Sequence, residues 1–445
     1  MSGSGVIADF VARTAHDGVP EAVMASARLH FLDALGVGIA ASTVAENRAL
    51  PQEAANGTAS LLGGGSAEAS VAAMINGALI HALEFDDTHI GSVVHGSAVA
   101  APLALAVAQQ CAASGQDLLR AYIIAWEVAI RIGLAGPGAF QEKGFQVTSV
   151  GGALGAAAAA SMVMRLDRQQ TISALGIAGG QASGTLAFLA DGAMSKALNP
   201  GWAARTGIEA ARLARAGMTG PEEVLESRFG VMNIFASGPD TLDHNLASLG
   251  NEWFLPEAAF KLYPCCHYIH PFLEAVEQVM GKSVSAQDIV SLTARVPPPA
   301  APLVCEPWSR RQAPASGYDG KWGLAYCMAL MFQNGRVDVA SFETKPDPET
   351  ISLARKMKWQ PMQDHGFPDR FAARIDVDTP QGIFSAEVAQ VRGASDRPVG
   401  IPDVVAKFIA NATRRYDSET TGYLKKCILN IDSVSEVGEL ADLLA

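Results

Sequence analysis

Four segments of this chain concentrate polar, ionisable residues inside otherwise apolar surroundings. The first runs Asn76-Gly-Ala-Leu-Ile-His-Ala-Leu-Glu-Phe-Asp-Asp-Thr-His89 and is followed by Val94-His-Gly-Ser97. Continued as a helix, it places His81 and Glu84 on one face at i, i+3, with Thr88 a turn further on. Asp86 and Asp87 then fall near a helix C-terminus, where the dipole disfavours negative charge, so those carboxylates should hold something. Three readings stay open. Asp86, Asp87, His89 and His95 could ligate a metal; a carboxylate could orient a histidine for proton transfer; or Asp87 caps the next turn and His81 is a hydrogen-bonded core residue.

Three further segments carry polar groups in apolar surroundings. In Asp191-Gly-Ala-Met-Ser-Lys-Ala-Leu-Asn-Pro-Gly-Trp202, Lys196 lies just before a helix start signalled by Asn199 and Pro200. An ammonium beside free helix N–H groups suits an anion, although a solvated loop lysine would read the same way. In Lys261-Leu-Tyr-Pro-Cys-Cys-His-Tyr-Ile-His270, several proton carriers crowd ten residues of a chain with nine histidines in all. Pro264 there suggests the first turn of a helix, His267 and His270 are spaced to share a metal, and simple packing is the plainer alternative. Gly144-Phe-Gln-Val-Thr-Ser149 precedes an alanine-rich run, with Thr148 or Ser149 expected as its cap.

The elements that must position these groups are mostly helices. From Gly5 to about Gly250 the apolar spacing is helical. Helices are expected from Pro20, over 68–81, 102–113, 117–132 and 150–164, and over 200–216 with Gly217 at C′. The pattern then changes. Ile289-Val-Ser-Leu-Thr-Ala-Arg-Val alternates as a half-buried strand does, and residues 371–379 and 383–391 flank the turn at Pro380 as a hairpin. Helices are expected at 320–332 and 347–357, and again at 402–412 and 416–429.

Length and composition bound the rest. At 445 residues the chain is too long for one core. Its net charge of −12 and lack of a basic run argue against a nucleic-acid partner. The start lacks the basic-then-apolar pattern of a signal peptide, and the apolar run 150–164 is shorter than a ~20-residue membrane span. Six scattered cysteines without a C-x-x-C pair disfavour structural zinc and iron–sulfur ligation, and read as reduced thiols in the cytoplasm.

Taken in order, these segments resemble the MmgE/PrpD family, whose members include 2-methylcitrate dehydratase, cis-aconitate decarboxylase and iminodisuccinate epimerase. The resemblance rests on Phe31-Leu-Asp-Ala-Leu-Gly-Val-Gly, on Ala72 through Thr88, and on the His95-Gly-Ser turn. It continues through Lys196-Ala-Leu-Asn-Pro-Gly, Gly217-Met-Thr-Gly-Pro221 and Lys261-Leu-Tyr-Pro-Cys-Cys. It implies a mainly α fold: an all-α domain of residues 1–255 and 398–445 and a smaller α+β lid domain of residues 256–397. It also implies a homodimer, no metal and no cofactor, and a small polycarboxylate as substrate, with no membrane or nucleic-acid partner. By the resemblance, His95 and Lys196 line the carboxylate pocket, and Thr88 and Lys261 touch substrate.

The chain departs from the family pattern at three positions. Glu84 stands where aspartate is frequent, Gln146 where many members have histidine, and Cys266 where decarboxylase-like members have histidine; Gln146 cannot titrate. All three family reactions can pass through an enolate-like state beside a carboxylate, which Lys196 and a helix N-terminus could stabilise. His95, Tyr263 or His270 would move the proton, with Glu84, Asp87, Thr88, Gln146, Lys261, Cys266 and His267 around the substrate. Epimerisation needs only opposed proton donors, whereas dehydration needs an acid for the leaving hydroxyl. The untitratable Gln146 and the short chain therefore favour an iminodisuccinate-type epimerase. A dehydratase-like or decarboxylase-like lyase is the alternative, and a non-catalytic polycarboxylate binder is a third reading.

Overall fold

The computed structural model describes residues 1–50, 57–190, 192–438 and 444. It divides into two compact units: Met1–Ala82, Asp86–Phe260 and Gly400–Ala445 form one, and Leu83–Phe85 with Lys261–Val399 form the other. The architecture is mainly α; the second unit holds a four-stranded sheet, and the only sheet in the first, among its described residues, is a two-residue antiparallel pairing of Ala59–Ser60 with Ser66–Ala67.

The helices of the first unit that matter for the site are α1 (Glu21–Ser42), α2 (Ala69–Ala82), α3 (Ser97–Gln110), α4 (Gly115–Leu134), α5 (Val147–Val163) and α6 (Ser195–Arg215). The chain returns to this unit through the C-terminal helices Ile401–Ala412 and Ser418–Leu429. α1 is the one helix, among the described residues, long and apolar enough to cross a membrane, and most of it is buried inside the unit as a core element.

Small residues set how closely these helices approach. A Cβ on Gly77 of α2 would lie 2.6 Å from the Gly201 Cα of α6, and one on Gly201 would lie 2.1 Å from the Met74 carbonyl oxygen. Gly207, further along α6, meets Ala156 of α5 in the same way. Backbone thus packs on backbone, which the alanine- and glycine-rich composition foreshadows and which native packing density requires. The consequence is positional: the end of α2, the start of α5 and the first turn of α6 are drawn together.

In the second unit, helix α7 (His270–Met280) packs on a four-stranded sheet and on α8 (Leu324–Asn334). The strands are β1 (Ser291–Val296), β2 (Met357–Pro361), β3 (Ala373–Thr379) and β4 (Gly382–Val388), in the order β2-β1-β3-β4. β1 pairs in parallel with β2 and antiparallel with β3, and β3–β4 is the expected hairpin. Phe272, Leu273, Val276, Leu292, Ile375 and Val377 form its core. The expected helix over 347–357 stops at Ala354, and the chain turns into β2, whose mostly exposed residues carry no apolar alternation to betray a strand.

Several local expectations are corrected. α2 stops at Ala82, so Glu84 is not on the helix face of His81. Glu84 takes the left-handed conformation (φ 55°) in which helices commonly terminate. Lys196 does not precede α6 but sits in its first turn, with Pro200 inside the helix. Asn199, expected as the N-cap, lies inside the helix, and its amide bonds to Gln146. Neither Thr148 nor Ser149 caps α5: the N-cap is Gln146, without a side-chain cap bond. Asp191 lies outside the described residues.

Candidate active site

The first unit gathers a buried polar cluster where α2, α5 and α6 converge. It is a relay of hydrogen bonds. The Asn199 amide donates to Gln146 Oε1 (2.8 Å), Gln146 Nε2 meets His81 Nε2 (3.0 Å), and His81 Nδ1 meets Asp86 Oδ2 (2.7 Å). An amide nitrogen can only donate, so His81 Nε2 is the acceptor and its proton is on Nδ1, facing the carboxylate. Both nitrogens of His81 are thereby committed, and the ring is a fixture rather than a proton carrier.

His95 is held differently. Its Nδ1 lies 3.0 Å from the Asp87 carbonyl and 3.0 Å from Thr88 Oγ1, with Asp86 Oδ2 at 3.8 Å. A carbonyl only accepts, so Nδ1 carries the proton in this arrangement and the lone pair is on Nε2. The His95 backbone N–H donates to Thr148 Oγ1 (3.0 Å). The ring retains 15% side-chain exposure, against none for His81 and Asp86. His95 is thus less enclosed than His81, with the Asp86 carboxylate close to its Nδ1.

Asp87 faces the other way. Its Oδ2 accepts from Ser97 Oγ and meets His30 Nδ1 at 2.7 Å, and its Oδ1 accepts the Ser97 N–H (3.3 Å) at the start of α3. His89 is bonded to Ser92 Oγ (2.8 Å). The metal set Asp86, Asp87, His89 and His95 is thus dispersed. Among the described residues, the group that remains is His81, Asp86 and His95, with ligand atoms within 4.8 Å of one another. A metal there would have to displace the Gln146 and Asp86 bonds that hold His81.

Lys196, in the first turn of α6, is buried and lies three residues before Asn199, on the same helix face. An ammonium beside the N–H groups of a helix start is a place for a substrate carboxylate.

The second unit carries its own cluster. The Lys261 ammonium donates to the Glu84 carbonyl (3.3 Å) and lies 3.9 Å from Glu84 Oε2, and Lys321 donates to the Leu83 carbonyl (2.8 Å). Two buried lysines thus hold the left-handed turn at Glu84. Burial pushes the Cys266 thiol up to about 12, so it is a neutral thiol. The Tyr263 hydroxyl donates to Glu277 Oε1 (2.7 Å), and burial, with that carboxylate, raises its proton affinity well above the usual range. This geometry places the Tyr263 phenol against Glu277 as a neutral donor. His270 meets the Cys265 carbonyl through Nε2 (3.2 Å), leaving its lone pair on Nδ1, and packs edge-on against His267 (centroids 4.8 Å apart) and Tyr263 (5.2 Å).

Of the residues singled out in the sequence, Asp87, Thr88, His95 and Gln146 are joined in the first unit through Asp86, His81 and Thr148, and Glu84 and Lys261 in the second. Tyr263, Cys266, His267 and His270 share one segment of the second unit. Sequence reasoning missed His30, Asn199 and Lys321. Asn199 and Lys321 were absorbed into helix signals. His30 is a lone histidine in a long apolar helix, and that isolation is the only signal it gives.

Two adjacent carboxylates, in the segment between α2 and α3, steer buried histidines in a large helical unit that is followed by a smaller α/β unit. The chain belongs to the MmgE/PrpD family: the N-terminal domain model matches residues 5–242 and the C-terminal domain model residues 263–432. It is an enzyme of that family, of a kind that includes lyases. It is 25% identical to a cis-aconitate decarboxylase of Aspergillus terreus over 98% of this chain and 95% of that one. It is 27% identical to a cis-aconitate decarboxylase-like protein of Aspergillus oryzae (96% and 94%), and 28% identical to the Homo sapiens cis-aconitate decarboxylase (84% and 79%).

Proposed function

We propose that this chain is a lyase of small polycarboxylates, removing carbon dioxide from a tricarboxylate of the cis-aconitate type, with His95 as the proton carrier. The carrying observation is the geometry of His95: Nδ1 pinned by a carbonyl, Asp86 Oδ2 at 3.8 Å, and a side chain that keeps 15% exposure beside the fully buried His81 and Asp86. The names of the relatives supply the substrate class.

In this reading the bond to the departing carboxylate breaks and its electron pair stays on carbon, delocalised into a neighbouring carboxylate. Lys196 balances the charge that accumulates there. Protonated His95 then delivers a proton from Nε2 to carbon, forming the new C–H bond and returning to its neutral Nδ1–H form. Gln146 does not need to titrate, because its part is to fix His81 and, through it, Asp86. An untitratable Gln146 bears most on dehydration, which needs an acid for the leaving hydroxyl, and is compatible with decarboxylation. The iminodisuccinate epimerase reading then rests on chain length, and the relatives named above lean to decarboxylation instead.

The test is turnover by the purified enzyme of cis-aconitate, 2-methylcitrate-type hydroxyacids and iminodisuccinate, each supplied alone. Carbon dioxide release from cis-aconitate, abolished in His95→Asn, supports the proposal. Alkene formation from a hydroxyacid, or interconversion of iminodisuccinate stereoisomers without gas release, would replace it with the corresponding family reaction.

A further inference from the structure

We propose that His30 is a positioning residue for His95, acting through Asp87; this rests on the reading of His95 as the proton carrier. Asp87 is attached at both ends. Its main-chain carbonyl accepts from His95 Nδ1, while its carboxylate is gripped by His30 Nδ1 (2.7 Å) from α1 and by the hydroxyl and N–H of Ser97 from α3. The next residue is fixed too: Thr88 and Ala259 exchange backbone hydrogen bonds of 3.0 and 2.8 Å. With side chain and flanking backbone both held, the direction of the Asp87 carbonyl is set, and with it the tautomer and tilt of the His95 ring.

His30 is itself held against rotation. Its ring stacks on Phe260, with centroids 3.9 Å apart and planes within 9°, and its edge meets Trp126 at 6.3 Å. Trp126 Nε1 in turn donates to Tyr122 OH (2.9 Å), which lies in hydrogen-bond contact with Ser97 Oγ. Asp87 capping α3 would require only Ser97. The second grip, from a stacked and buried imidazole on a different helix, is what a mere cap leaves unexplained. A small misplacement of a catalytic group can lower turnover by about 100-fold, so a two-helix clamp on the residue that orients the proton carrier has a functional consequence.

The test uses the full chain with 15N-labelled histidine, with His95 assigned through His95→Asn, and reads the His95 tautomer by long-range proton–nitrogen correlation alongside kcat and KM. Wild-type His95 is expected in the Nδ1–H form. In His30→Leu the two tautomers should mix and kcat fall by about 10- to 100-fold with KM little changed. In His30→Asn, whose amide N–H can replace Nδ1–H, both readouts should return towards wild type. Ser97→Ala loosens the same carboxylate from the other side and should shift the tautomer in the same direction, which keeps the question decidable if His30→Leu does not fold. Retention of a pure Nδ1–H tautomer in both His30→Leu and Ser97→Ala would overturn the proposal. The tautomer is read without substrate, so this outcome is separate from any failure of the decarboxylase reading.

Discussion

Asp86 and Asp87 are neighbours, yet each steers a different buried histidine through Nδ1 at 2.7 Å: His81 for Asp86 and His30 for Asp87. His95 sits beside both, bonded to the carbonyl of one and near the carboxylate of the other. In the proposed reaction, proton transfer therefore falls to His95. His95→Asn should lower kcat by about 10²–10⁴-fold, the usual worth of a positioned acid or base, with a smaller change in KM. Lys196→Ala should raise KM and lower kcat together, because the ammonium both holds a substrate carboxylate and balances the further charge that accumulates in the transition state. Tyr263→Phe should leave kcat close to wild type, since the phenol spends its proton on Glu277; a loss of more than about 100-fold in steady-state assays would restore it to the catalytic group. At this scale the types of residue were legible and their partners were not. A buried carboxylate next to a histidine is written in Phe85-Asp-Asp-Thr-His89, but which histidine it meets depends on contacts 57 residues apart in the chain.

Among the elements, α2 and α6 carry the site because glycine lets them touch. Gly201→Ala would press a methyl group into the Met74 carbonyl and force the helices apart. Such overpacking costs about 1–3 kcal/mol, seen as a lowered Tm, and it should also loosen the Asn199–Gln146–His81 relay. The start of α2 gives a pH-dependent prediction. The Glu68 carboxylate lies in a partly buried setting that opposes charge, but Arg212 of α6 and the Ser70 hydroxyl and N–H outweigh this and lower it to about 2. A carboxylate lowered in the folded state stabilises at pH above its unfolded value of about 4.5 and ceases to do so as pH falls through about 2. Glu68→Gln should therefore lower Tm at pH 7, and the difference from wild type should shrink steadily between pH 4.5 and 2. A gap that stays constant with pH would assign Glu68 no electrostatic part. The helices and the hairpin were readable because their periodicity and turn residues are local. The end of α2 at Ala82, the inclusion of Lys196 in α6 and the parallel strand β2 were not, because tertiary bonds to Leu83, Glu84 and Asn199 and pairing with β1 decide them.

On the scale of the whole molecule, the chain closes its first unit with its own C-terminal segment. Lys407 of the helix Ile401–Ala412 donates to Asp33 Oδ2 of α1 (2.8 Å), one turn from His30, and both side chains are buried. Burial pushes the Asp33 carboxyl up to about 6, opposed by the Lys407 ammonium, so this charge survives only because it is paired. Removing one partner of such a pair costs about 3–5 kcal/mol. Lys407→Met should accordingly lower the urea midpoint strongly, while a double replacement of Lys407 and Asp33 by apolar residues should recover much of the loss. The C-terminal helices were legible from the renewed helical period after Pro398; the residue that fastens them to α1 was not, because nothing local distinguishes Lys407 from an exposed helix lysine. A homodimer, implied by the family resemblance, is a further proposal that light scattering on the purified chain would decide.

The most direct test of the central claim is proton and carbon NMR of the enzyme in D₂O with cis-aconitate as sole substrate, comparing wild type with His95→Asn. The account predicts carbon dioxide release with one deuterium placed on the product carbon by wild type, and loss of both by more than about 100-fold in His95→Asn. Unchanged cis-aconitate with wild type, together with deuterium exchange and interconversion of iminodisuccinate stereoisomers in a parallel sample, would contradict it and make the chain an epimerase.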